Sequence, residues 1–240
     1  MNTSIYNISL LNLLWVMVPV AIVIVIYIRW TQDKTTLFYA LFRMLIQLIL
    51  IGYVLTYIFN VDSPYLILLI LSVMLIAASI ISMRPVEKRQ NGFYVYAFIS
   101  ILIGSIFTLS MVVFGVLSLE PWYEPRYLIP LAGMIFANAM NAVSIAAERL
   151  ESEIDRGNTY IHARVTSYKA ALIPRINILF AVGLVSLPGM MTGQILSGVD
   201  PLIAVRYQIM VMLMILGSAG ISVAIYLMFL KKSVEKFDLS

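Results

Sequence analysis

Two short stretches carry the residue types that can do chemistry in this 240-residue chain. The first is GMIFANAMNAVS (133–144), where Asn138 and Asn141 lie three apart, one helical face, with Met134 on the same face and Met140 between them. The second is LPGMMTGQIL (187–196), where Pro188 and Gly189 precede Met190, Met191, Thr192 and Gln194. Thioether sulfur is a soft ligand suited to Cu(I)-like ions, whereas amide and carbonyl oxygens suit harder ones. Of the 14 methionines, only Met140, Met190 and Met191 have polar neighbours that give a ligand role substance, and Met190 and Met191 form the candidate metal pair. The rest read as core filler or lipid-facing side chains.

Other chemistries are excluded. Cysteine is absent and His162 is the single histidine, which leaves no thiolate nucleophile, no disulfide framework and no histidine-built metal site. No phosphate-cradling glycine loop, HExxH or GxSxG occurs, so the chain has no means of its own to hydrolyse ATP or peptides. Neither a catalytic residue nor a cofactor is expected in it.

The elements that hold these residues follow from composition. Apolar residues make up 62% of the chain and charged residues 12%, against ~25% charged in soluble domains. The charges leave seven stretches of 18 or more residues without Asp, Glu, Lys or Arg: 1–28, 44–61, 63–83, 90–119, 127–147, 176–199 and 207–230. About 20 apolar residues in a helix cross the hydrocarbon layer. Stretches such as 66–81 are apolar on every face, which excludes the alternation of a membrane β-barrel. No Lys or Arg precedes Arg29, so the first stretch lacks the basic region of a cleaved signal. The expectation is an all-α polytopic membrane protein, one domain over 1–240, with seven spans at about 8–28, 37–59, 64–83, 93–117, 127–147, 172–196 and 206–230. Pro188 predicts a kink or break in the sixth, because proline removes a backbone hydrogen bond and clashes with the preceding turn. Gly189 and Gly193, four apart, also suit close helix packing.

Cations sort by connection. Arg29, Lys34, Arg43, Arg84, Lys88, Arg89, Arg149, Arg156, Arg164, Lys169, Arg175, Lys231, Lys232 and Lys236 fall on one side, 14 of the 16; Arg126 and Arg206 fall on the other. Positive charge marks the cytoplasm, so the N-terminus is expected outside and the C-terminus inside. Arg43, one turn from Gln47, reads as snorkelling to the cytoplasmic surface. The excess of four positive charges is a topology signal and needs no nucleic-acid partner.

One cytoplasmic connection is long enough to fold. Residues 148–175 carry four acids and five bases. Glu148, Glu151 and Asp155 lie on one face of a helix continuing out of the membrane, Leu150 and Ile154 on another, and Gly157-Asn158 ends it. Segment 148–171 reads either as a solvated loop or as a helix, turn and helix able to receive force from a peripheral ATPase. In the second reading Glu148, Glu151, Arg156 and Gly157 are the coupling residues; the six-residue step from Glu151 to Gly157 matches the Glu-to-Gly spacing of the importer-type ABC permease loop.

The stretches RMLIQLILIGYVL (43–55), GMIFANAMNAVS (133–144), PRIN (174–177) and GLVSLPGMMTGQILSGVDPLIAVRYQ (183–208) resemble the FetB/YbbM-type permease family, the membrane subunits of iron-export ABC transporters. The similarity runs from about residue 40 to the end of the last helix, with Ala137 standing where the family pattern has glycine. The resemblance implies a partner ABC ATPase of the FetA kind, with Mg-ATP bound on that partner, and a role in exporting iron or relieving metal stress. Plant relatives linked to aluminium tolerance and nucleotide-sugar movement leave the substrate class open. The expected assembly is a homodimer in a plasma or inner membrane, with Asn138, Met140, Asn141, Met190, Met191, Thr192 and Gln194 along the substrate pathway. A seven-helix receptor or sensor is the alternative that the topology also permits. A secondary transporter is disfavoured because no acid lies within a span.

Overall fold

The structure is a computed structural model that describes residues 9–59, 63–86 and 91–237. The described residues form helices α1 (Leu10–Thr31), α2 (Thr36–Ile58), α3 (Pro64–Ser82), α4 (Asn91–Ser110), α5 (Pro125–Asp155), α6 (Tyr160–Ala181), α7 (Gly189–Leu196) and α8 (Pro201–Phe237), with a π-helical extension of α4 over Met111–Val116. Lys88 and Arg89 lie outside the described residues.

Two units are distinct, Met1–Asp62 and Ser63–Ser240. In the first, the Ser9 hydroxyl caps α1 by accepting from the Leu11 N–H. Gln32 ends α1 in the left-handed region at φ 58°. Asp33 then starts α2, its Oδ1 accepting the N–H groups of Thr35 and Thr36 at 3.0 and 3.1 Å. Hydrogen bonds from Thr36 and Thr35 hold the Asp33 carboxyl well below the usual carboxylate range. Both helices expose apolar side chains around their circumference, as helices surrounded by lipid do.

The second unit is a bundle in which α3, α5 and α8 run one way and α4 and α6 the other. At one end, the Tyr160 hydroxyl at the start of α6 donates to the Leu227 carbonyl late in α8. Tyr226 donates to the Met83 sulfur after α3 at 3.4 Å, and Tyr96 early in α4 stacks on Phe229. The opposite end brings the π-helical turns and the starts of α5 and α8 around one cavity and its neighbour. The first end carries Arg149, Arg156 and Arg164, and the second carries Arg126 and Arg206, so the two cation groups separate to opposite ends of this unit.

The core is built from small residues. Ala132, Ala139, Ala142, Ala146 and Ala163 are fully buried, with Ser100, Ser105, Ser167, Ser218 and Ser222. Side chains this small bring helix backbones close, which is how helices pack tightly where lipid removes the hydrophobic drive between them. A Cβ added at Gly104 of α4 would lie 2.9 Å from the Ser222 nitrogen and 3.2 Å from the Ser218 carbonyl oxygen.

Six helices among the described residues are long and apolar enough to cross a membrane: Leu11–Thr31, Thr36–Ile58, Pro64–Ser82, Gly92–Val116, Pro125–Asp155 and Pro201–Lys231. The expected span at 172–196 is not one helix. α6 stops at Ala181, Val182 turns extended at ψ 130°, Gly183 adopts φ 83°, and α7 begins only at Gly189. The interruption starts six residues ahead of Pro188. Proline therefore does not kink a continuous helix; it stands as the N-cap of the next one, with an extended ψ of 143°.

Candidate functional site

The interruption places α7 beside α8. There Met190 and Gln194 join Met134 and Tyr127 of α5 and Tyr207 and Met210 of α8 around a cavity of about 670 Å³, with Arg126 at its edge. Three thioethers, Met134, Met190 and Met210, line it. The Gln194 Oε1 is buried without a hydrogen-bond partner, so an acceptor is left available to whatever enters.

The other sequence-selected pathway residues are distributed around this cavity without lining it. Met191 is half-buried. The Thr192 hydroxyl donates to the Pro188 carbonyl at 3.1 Å, one turn back. Met140 packs against the core, and Asn141 is exposed. The Asn138 amide donates to the Met134 carbonyl at 2.7 Å and faces a second, small cavity of about 40 Å³ with Arg175, Ile178 and Leu179 of α6 and Met212, Ile215 and Leu216 of α8.

Gln208 went unnoticed in the sequence. It is 4% exposed, and both amide atoms lack partners. Its signal is its place on α8, three before buried Val211 and eleven before Ala219, on the inward stripe.

At the other end, α5 passes its last apolar turn and stops at Asp155. The Gly157 N–H donates to the Ile154 carbonyl at 2.9 Å and the Asn158 N–H to that of Glu153 at 3.2 Å, with Gly157 at φ 80°. Thr159 then caps α6. Of the proposed coupling residues, Glu148, Arg156 and Gly157 are exposed and Glu151 is half-buried.

Glu153 holds this corner together. Its side chain is 4% exposed and pairs with Arg149 at 2.6 Å and Arg156 at 3.6 Å. It also accepts from the Asn158 amide at 2.7 Å, and His162 Nε2 lies 4.0 Å away. The sequence signal was its position three residues after Leu150 and seven after Ala146, both buried. That phase turns this carboxylate inward while Glu148 faces out.

An all-helical chain with six apolar helices of membrane-spanning length is a multi-pass membrane protein. It belongs to a FetB-type permease family: residues 8–234 match the Uncharacterised protein family (UPF0014). The chain is 37% identical over 206 residues to "Probable iron export permease protein FetB" of Escherichia coli (strain K12), covering 79% of this chain and 78% of that protein. It is 37% identical over 189 residues to "UPF0014 membrane protein slr1647" of Synechocystis, covering 72% and 73%. It is 33% identical over 221 residues to "Protein ALUMINUM SENSITIVE 3" of Arabidopsis thaliana, covering 85% and 80%. No solved structure matches.

Proposed function

We propose that this chain is the permease subunit of an ABC transporter that exports iron or a related metal, driven by a separate ATPase. The observation that carries this reading is the α5–α6 corner. Two helices run on past the apolar bundle at its cation-rich end, joined by a turn that Glu153 fastens to α5 through the Asn158 amide, with His162 of α6 4.0 Å away; a push on the corner would reach both. The name of the Escherichia coli relative supports iron as the cargo.

In this reading α6, the interruption and α7 together make the sixth of seven crossings. The N-terminus lies outside, the C-terminus and corner are cytoplasmic, and Mg-ATP sits on the partner. Two copies pair. Leu184 and Val185 at the interruption are 90% and 84% exposed, and non-helical backbone at membrane depth persists only where protein or a water-lined cavity covers it. A second copy supplies that cover. Metal passes the thioether-lined cavity, with Met190 and Gln194 among its contacts.

The test is to find whether an adjacent gene encodes a soluble ATPase with a Walker A motif and to co-express its product with this chain. The ATPase should co-purify, and the permease should stimulate its ATP hydrolysis. Replacing Glu151, Arg156 and Gly157 together by alanine should leave membrane insertion intact and remove most of the stimulation. Full stimulation in that variant removes the corner from the account.

A further inference from the structure

Arg175 sorts among the cytoplasmic cations and also falls three residues inside the expected span at 172–196. It lines the small cavity with Asn138 and with Met212, Ile215 and Leu216. Three independent counts give its level. Arg175 is 15 residues beyond Tyr160, Asn138 is 15 before Glu153, and Met212 is 15 before Leu227; Tyr160 is bonded to Leu227 at the cation-rich end. At ~1.5 Å per residue, each count sets the cavity about 22 Å from that end. Glu148, where the apolar run of α5 stops, is ten residues from Asn138. The cavity therefore lies about 15 Å inside that boundary, the middle of a ~30 Å hydrocarbon layer.

The guanidinium is half-buried and its Nε is buried with no hydrogen-bond partner. Among the described residues no carboxylate pairs with it. Among the described residues every acid lies in a connection or in the last turns of a helix. A cation at mid-depth is balanced by an opposite charge, by backbone carbonyls or by water in a cavity; the buried Arg175 Nε has no such partner among the described residues, which leaves it open to an entering anion.

We propose that Arg175 and Asn138 form an oxyanion-recognition point at the middle of the membrane, and that the cargo passes it as an anion bearing a carboxylate or phosphate group. The guanidinium offers a planar fork of N–H donors matched to such groups. The Asn138 amide, which spends one N–H on Met134, has a second to give. A cavity of about 40 Å³ admits an oxyanion head group and not a whole organic solute, so the rest of the cargo extends along the path. This rests on the transport reading and sharpens it: a bare metal cation is repelled at Arg175, so metal crosses inside an anionic complex.

The experiment is calorimetric titration of the purified full chain in phosphatidylcholine nanodiscs with citrate, inorganic phosphate and, at matched ionic strength, chloride. Citrate or phosphate should bind saturably and chloride should not. Arg175→Gln should weaken binding at least tenfold, and Arg175→Lys, which keeps charge without the fork, should fall between. Asn138→Asp places a carboxylate beside the guanidinium; it should abolish binding while the protein stays as heat-stable as the parent, which separates recognition from folding. Arg29→Gln, at an exposed cation near the end of α1, should change nothing. Absent binding in the parent, or equal binding in Arg175→Gln, overturns the proposal. Loss of binding in discs doped with phosphatidylglycerol assigns the anion to lipid and overturns the claim about cargo. No ATPase or ATP is present, so a failure of ATPase coupling leaves this result readable, and a working transporter without Arg175-dependent binding sinks this inference alone.

Discussion

Gly104→Val is expected to prevent α4 and α8 from closing on each other. The first added carbon falls 2.3 Å from the Ser222 hydroxyl oxygen, 2.9 Å from the Ser222 nitrogen and 3.2 Å from the Ser218 carbonyl oxygen. The hydroxyl can rotate away, but the other two atoms are backbone. Overpacking a single methyl costs about 1–3 kcal/mol, and valine adds two more carbons, so the loss should be about 3 kcal/mol or more. Gly104→Ala should lose about 1–3 kcal/mol on the same principle. Thermal unfolding of purified protein in detergent, followed by aggregation, measures both. Adding Ser222→Gly to Gly104→Ala should recover only part of the loss, because the backbone contacts remain. Unfolding of Gly104→Val at the parent temperature would mean that the two helices do not meet there.

Glu153→Leu is the second large effect, and it combines stability with coupling. The side chain fits the apolar stripe after Ala146 and Leu150, but Arg149 loses its 2.6 Å partner and the Asn158 amide its acceptor. Breaking a buried ion pair from one side costs about 3–5 kcal/mol. Arg149 is 37% and Arg156 62% exposed, so water recovers part of this and about 2 kcal/mol is expected. The mechanical consequence is greater. With the α5–α6 turn no longer fastened through Asn158, ATPase stimulation by the permease should fall severalfold while membrane insertion persists. Glu153→Gln, which still accepts from Asn158, should sit between. Unaltered stimulation in Glu153→Leu would show that the corner transmits nothing.

Much of the architecture follows from positions of charge. The runs at 127–147 and 207–230 place α5 and α8, and Gly157-Asn158 after a mixed-charge helix places the corner, because helix ends depend on local backbone chemistry. The interruption was legible as an event but not in position. Pro188 announces it, yet the helix ends at Ala181, where Gly183 takes a conformation that favours glycine. Glu153 and Gln208 required the phase of each helix against its neighbours; both lie on the stripe of buried small residues, and a polar residue there is the readable sign. Arg175 counts both with the cytoplasmic cations and, three residues inside it, with the expected span at 172–196; α6 runs unbroken from Tyr160 to Ala181 and sets it beside Asn138 at the small cavity. Asn138 and Met190 were both selected from the sequence, but they serve different cavities because α7 stands beside α8 and not in line with α6.

The central claim is that ATP hydrolysis on a partner drives metal through this chain. Inside-out vesicles containing the chain and its ATPase, given Mg-ATP and iron citrate in the bath, test this through the iron that appears in the lumen. Accumulation should require hydrolysable ATP and both subunits and fall at least tenfold in Arg175→Gln. Equal accumulation with a non-hydrolysable ATP analogue, or with this chain omitted, would contradict it.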